Sequence, residues 1–266
     1  MVVLFLIPLA FVFLVSFFTR STFGGIIYTF TVENYTRFVD PLYLRIFWIS
    51  CLIALVTTLL CLIVGYPFAY IIAKSPERMR NILLMLVIVP FWTNSLIRTY
   101  AWIVLLRTEG VINTFLLNLG LIRQPLELMY NEFAVLIGLV YTMLPFMILP
   151  LYASIEKLER THLEAAADLG AKPWQTFLKV SLPLTTPGIV AGSLLVFIPS
   201  LGLFFIPDLM GGSKTVLIGN LIKNQFLTAR DWPFGSATSI ILMGVTMLFI
   251  LLYLRFSGDR AGKELV

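Results

Sequence analysis

Residues 46–73 form a run of 28 residues without one charged side chain. A helix rises about 1.5 Å per residue and the hydrocarbon core of a bilayer is about 30 Å thick, so about 20 apolar residues suffice to cross it. A run this long can span the membrane and must tilt or protrude. The same test selects five further windows, 1–19, 81–106 (interrupted only by Arg98), 133–155, 185–205 and 232–254. Of the 266 residues, 59% are hydrophobic and 12% charged, with mean hydropathy +0.94. A soluble core of this size cannot hide that much apolar surface. The expectation is an all-α membrane protein, one transmembrane domain over 1–266 with six spans.

The first window differs from a signal peptide. It has no basic stretch before it, its apolar part is too long, and no small-residue cleavage site follows, so it is expected as a retained span. Cys51 and Cys61 lie in an uncharged stretch with no metal-like neighbours, as small apolar residues of a membrane helix do. A net charge of +5 would suggest nucleic acid in a soluble protein. Here the basic residues are scattered singly between apolar runs, with no aromatic-interleaved cluster, and they act as topology signals instead.

Those signals are uneven. Lys74, Arg78, Arg80, Lys157, Arg160, Lys172, Lys179, Arg255, Arg260 and Lys263 fall on one side of the six spans. Arg20, Arg37, Arg45, Arg107, Arg123, Lys214, Lys223 and Arg230 fall on the other, spread over longer loops. The denser side is expected to be cytoplasmic, and it holds both termini and loop 156–184.

That loop carries the most informative segment, SIEKLERTHLEAAADLG over 154–170, followed by AKPWQTFLKVSLP over 171–183. Leu158, Ala165 and Leu169 recur at helical spacing, and Glu164 and Asp168 are i,i+4 neighbours. Gly170 suits a left-handed C-terminal cap and Pro173 the first turn of a second helix. A helix–turn–helix lying along the cytoplasmic face follows. Glu164-Ala165-Ala166, three residues, Gly170, nine residues, Val180, one residue and Leu182-Pro183 resemble the EAA loop of type I ABC importer permeases, with Val180 where that family usually has Ile. The resemblance implies a six-span permease whose coupling helix docks into a groove on a cytoplasmic ATPase. Glu164, Ala165, Ala166, Asp168, Gly170, Leu182 and Pro183 are the implied coupling residues.

The chain has no phosphate-binding loop of its own. In Gly211-Gly-Ser-Lys-Thr215 no glycine precedes Lys214, and no strand–loop–helix context surrounds it. The lone His162 sits on the coupling helix, and no nucleophile or metal constellation is visible. No enzyme activity and no bound cofactor is expected; ATP and magnesium belong to a partner ATPase dimer.

PFWTNSLIRTYAW at 90–102, YTR at 35–37, DLMGG at 208–212 and RDWPFG at 230–235 extend the resemblance, over essentially the whole chain, to polyamine-importer permeases. It implies a spermidine and putrescine cargo, a second permease and a periplasmic polyamine-binding protein. A polyamine path needs spaced carboxylates, aromatic faces and apolar walls. Charges within spans cost roughly 2.5–3.5 kcal/mol each on insertion scales, so acids on the outer half are informative. Asp208, after Phe204 and Phe205, is the leading candidate, with a capping or loop-anchoring role before Gly211-Gly212 as its alternative; Glu109 and Asp231 are further candidates, for which a solvated loop charge or a pair with a neighbouring Arg is favoured. Trp92, Asn94 and Tyr100 are candidate lining of the third span, with packing the favoured role for Trp92. Arg98 shares a face with Asn94 turned from lipid and should pair with an acid or carbonyls, or form a gate. The same mechanism with another cargo (an organic cation, ferric ion, thiamine or a sugar) stays open. A secondary transporter is disfavoured by the coupling loop and by the lack of an inverted repeat or of several buried acids.

Overall fold

A backbone crossing hydrocarbon must satisfy its own polar groups, and the apolar runs do so as helices. The computed structural model describes residues 2–22, 24–212 and 215–261. Met1, Ser213, Lys214 and Lys263 lie outside the described residues, as do the side chains of Arg160 and Arg260. The helices are α1 (Val2–Val15), α2 (Glu33–Phe38), α3 (Pro41–Lys74), α4 (Glu77–Ile88), α5 (Ser95–Leu106), α6 (Val111–Asn118), α7 (Glu132–Glu156), α8 (Arg160–Asp168), α9 (Pro173–Thr176), α10 (Leu182–Gly202), α11 (Ile218–Leu227) and α12 (Trp232–Ala261). Two-residue strands β1 (Thr19–Arg20) and β2 (Ile26–Ile27) pair antiparallel after α1.

Among the described residues, five stretches are long and apolar enough to cross a membrane: Pro41–Lys74, Ser95–Asn118, Glu132–Glu156, Pro173–Gly202 and Trp232–Leu251. The expected first span is α1, whose 14 residues fall short of the usual length. The expected third span, 81–106, is not one helix. Pro90 lacks an N–H, and α4 gives way there to a 3₁₀ turn, Val89–Trp92. Asn94 then starts α5 afresh, its side chain accepting from the Leu96 amide at 2.8 Å. Hydropathy alone does not register such a break.

Packing gathers the residues into two units that alternate along the chain. The first comprises Met1–Leu52, Leu201–Asp208 and Gly212–Val266. Its core is Phe38, Ile218, Leu221 and Phe234, with Tyr43, Ile46, Phe47, Ile222, Ile241 and Leu242 packed around them. Asn34 binds the carbonyls of Ser16 and Phe18, tying α2 to the end of α1. The Ser50 hydroxyl accepts from the Ile218 amide at 2.8 Å, joining α3 to the start of α11.

The second unit comprises Ile53–Ser200 and Leu209–Gly211. Here α3, α7 and α10 approach through small residues. A Cβ on Gly65 would stand 3.2 Å from Met147, one on Gly192 2.7 Å from its sulfur, and one on Gly188 2.5 Å from Ser154. With lipid no less apolar than leucine, close van der Waals packing of this kind is what holds membrane helices together. Polar contacts supplement it. Tyr66 and Thr185 share a hydrogen bond of 3.0 Å between α3 and α10, and Arg80 pairs with Glu156 at 2.8 Å, bringing the start of α4 to the end of α7.

Candidate functional sites

In the second unit, α8 spans nine residues and ends in a Schellman cap. Gly170 takes φ +80°; its amide donates to Ala167 at 2.9 Å, and the Ala171 amide reaches back to Ala166 at 3.0 Å. Pro173 opens α9 as expected, and the Lys172 amide donates to the Gln175 side chain at 2.9 Å. Glu164, Ala165 and Asp168 are exposed and Ala166 is half-buried. Leu182, half-buried, and Pro183, exposed, open α10 directly after a π turn, Phe177–Ser181.

One expectation fails here. Leu158, Ala165 and Leu169 do not form a packed face. Leu158 precedes α8 and is buried, whereas Leu169 caps the helix and is 89% exposed. With Trp174 also exposed, the segment presents apolar side chains and a carboxylate outward together.

In the first unit, Asp208 lies in a second π turn, Pro207–Gly211, which follows Phe204 and Phe205 and ends at Gly212, φ +60°. Its carboxylate is engaged at both oxygens. Asn220 donates to Oδ1 and also binds the Phe204 carbonyl at 2.8 Å, while Lys223 pairs with Oδ2. The Lys223 ammonium lies 6.0 Å from the Phe204 ring centre, and Phe204 meets Phe205 edge-on. A carboxylate, an aromatic face and an alkylammonium thus meet at one partly exposed point. The sequence reading missed both partners. Their signal was Asn220 and Lys223 standing three apart, and so on one face, in α11.

Asp231 takes the favoured alternative, a pair with an arginine, although the partner is Arg37 rather than a sequence neighbour. Its side chain is 1% exposed and pairs with Arg37 at 2.7 Å, while Oδ1 caps α12 at the Phe234 amide, 3.2 Å away. Arg37 also lies 4.1 Å from the centre of the Phe234 ring. Burial lowers the Arg37 pKa, but hydrogen bonds to Asp231 and Tyr43 outweigh it and hold the guanidinium above its ordinary value. The carboxylate is enclosed and its charge is already matched, so this is a structural pair.

Glu109 is exposed, without a partner among the described residues, on a cavity of about 460 Å³ lined also by Val104, Arg107, Thr108, Met129 and Tyr130. Trp92 is 80% exposed and Tyr100 exposed, and Asn94 serves as the cap of α5. Arg98 does not find the expected acid or carbonyl. It lies over Phe91 and Tyr141, at 5.5 and 5.9 Å from their ring centres, with Nε and Nη1 buried and no acceptor among the described residues.

An exposed helix–turn–helix beside apolar helices packed through small residues is an arrangement that a transport permease would have. Residues 65–260 match the binding-protein-dependent transport system inner membrane component family, and the chain belongs to it. It is 56% identical over 242 residues to the spermidine/putrescine transport system permease protein PotB of Salmonella typhimurium, covering 91% of this chain and 84% of that one. PotB of Escherichia coli is 55% identical over 242 residues, covering 91% and 88%. In fold, the chain is similar to a chain of the bacterial alginate ABC transporter solved in complex with an alginate pentasaccharide-bound periplasmic protein, with TM-score 0.67, 19% identity, and coverage of 86% and 83%.

Proposed function

We propose that this chain is the membrane permease of an ATP-driven importer of polyamines, spermidine and putrescine. It forms the path with a second permease resembling PotC, and it receives cargo from a periplasmic polyamine-binding protein. It couples through α8 and α9 to a cytoplasmic ATPase dimer that binds ATP and magnesium; the chain itself hydrolyses nothing. The identity of 55–56% over 91% of the chain to permeases named for that cargo carries the reading. The Asp208–Phe204 point supports it, because a polycation released by its binding protein must find new carboxylates or lose charge-assisted hydrogen bonds. Trp92, Asn94 and Tyr100, at the break before α5 and just beyond it, with both aromatics exposed, face the path or the second permease.

Asp208→Asn keeps shape and removes charge. It is expected to lower polyamine uptake several-fold in cells expressing the whole transporter, more for spermidine than for putrescine, with normal assembly and basal ATPase activity. Unchanged uptake of both amines would remove Asp208 from the path, and loss of assembly would make it a loop anchor.

Both termini and loop 156–184 are assigned to the cytoplasm. A cysteine replacing Lys172 should resist impermeant thiol reagents in intact cells, while one replacing Arg123 should react. The opposite pattern inverts the topology and ends the coupling assignment.

A further inference from the structure

The cation at Asp208 belongs to the protein itself. We infer that Lys223 is an internal stand-in for a substrate ammonium: it occupies Asp208 while the path is empty and yields the carboxylate to an arriving polycation. This inference rests on the polyamine reading above.

The lysine head group is a primary alkylammonium on a four-carbon stem, chemically one end of a polyamine. At Asp208 it meets what such a group requires, an acceptor oxygen and the nearby face of Phe204. Two features favour exchange over permanent anchoring. The pair is partly exposed at both side chains, and ion pairs reaching water contribute little net stability. Asn220, moreover, holds the other carboxylate oxygen and the Phe204 carbonyl independently of Lys223. The carboxylate therefore stays aimed when the lysine leaves, so the binding point survives the swap.

The arrangement also sorts ligands by charge number. A monoamine that displaces Lys223 replaces one ammonium with another and gains almost nothing. A diamine or triamine makes the same exchange and keeps further ammonium groups for other acceptors. Lys223 thus sets a threshold against single-charge cations and keeps Asp208 from standing uncompensated between cycles.

The test uses the complete transporter in lipid nanodiscs with its binding protein. In the wild type, labelling of Lys223 by a water-soluble acylating reagent, read by peptide mass spectrometry, should rise several-fold when spermidine is added, because the released amine is no longer ion-paired. Lys223→Met should lower the spermidine concentration for half-maximal ATPase stimulation several-fold and let n-butylamine compete, whereas Lys223→Arg should keep the wild-type value and exclude butylamine. Unchanged or reduced Lys223 labelling with spermidine overturns the inference, and does so without any variant that has to fold. If that occurs while Asp208→Asn still lowers uptake, Asp208 remains on the path with Lys223 as its fixed partner. An Asp208→Asn transporter with normal uptake removes the exchange site and this inference with it. A transporter that no polyamine stimulates removes the cargo reading itself.

Discussion

Replacing Gly170 with proline is expected to abolish transport while leaving the membrane helices inserted. The glycine sits at φ +80°, a region open to glycine and closed to proline, whose ring fixes φ near −65°. Proline also removes the amide that donates to Ala167, and the shift in backbone direction breaks the Ala171–Ala166 bond. Those two bonds set the angle at which α8 hands over to α9. No atom lies within 4 Å of the position a Cβ would occupy, so Gly170→Ala is penalised by backbone conformation alone, roughly 1–2 kcal/mol. The alanine variant should therefore keep measurable transport and the proline variant should not. Co-purification of the ATPase should fall in parallel with uptake. Glu164→Lys should act through charge, with the same loss of ATPase association at unchanged α8 structure, and Leu169→Asp should weaken docking by removing exposed apolar surface. A Glu164→Lys, Gly170→Pro double variant with normal uptake and a bound ATPase would show that docking lies elsewhere.

How much of this was legible in the sequence depended on whether the information was local. The apolar runs and the α8–Gly170–α9 segment are written in consecutive residues, and periodicity and cap chemistry read them directly. Pro90 was equally visible, but a hydropathy window averages across it and cannot see that Asn94 restarts the helix. Helical spacing grouped Leu158 with Leu169 without revealing that α8 begins after the first and that the second points outward. The two outer acids show the larger gap. Asp208 and Asp231 look alike in sequence, each a carboxylate beside aromatics just outside a span. Their fates diverge through partners 15 and 194 residues away, Lys223 and Arg37, which no local pattern connects.

Arg37→Met is expected to destabilise the first unit more than Asp231→Asn, though the two variants break the same ion pair. Asp231 is 1% exposed, whereas the Arg37 side chain is 42% exposed. Removing the arginine strands a carboxylate where water cannot reach it, a defect that costs about 3–5 kcal/mol when a buried pair loses one member. Removing the acid leaves a guanidinium able to rehydrate from its open side and still stacked on Phe234. Asparagine at position 231 also keeps an oxygen for the Phe234 amide, so the cap of α12 survives. The loss from Asp231→Asn should accordingly stay near that of one charged hydrogen bond, about 1.5–3 kcal/mol. Adding Asp231→Leu to Arg37→Met should recover part of the loss, because an apolar side chain needs no partner there, although α12 then goes uncapped. Thermal unfolding of the purified protein in detergent ranks the three. Equal losses for Arg37→Met and Asp231→Asn, or a double variant worse than both, would mean that the pair is not enclosed as the structure has it.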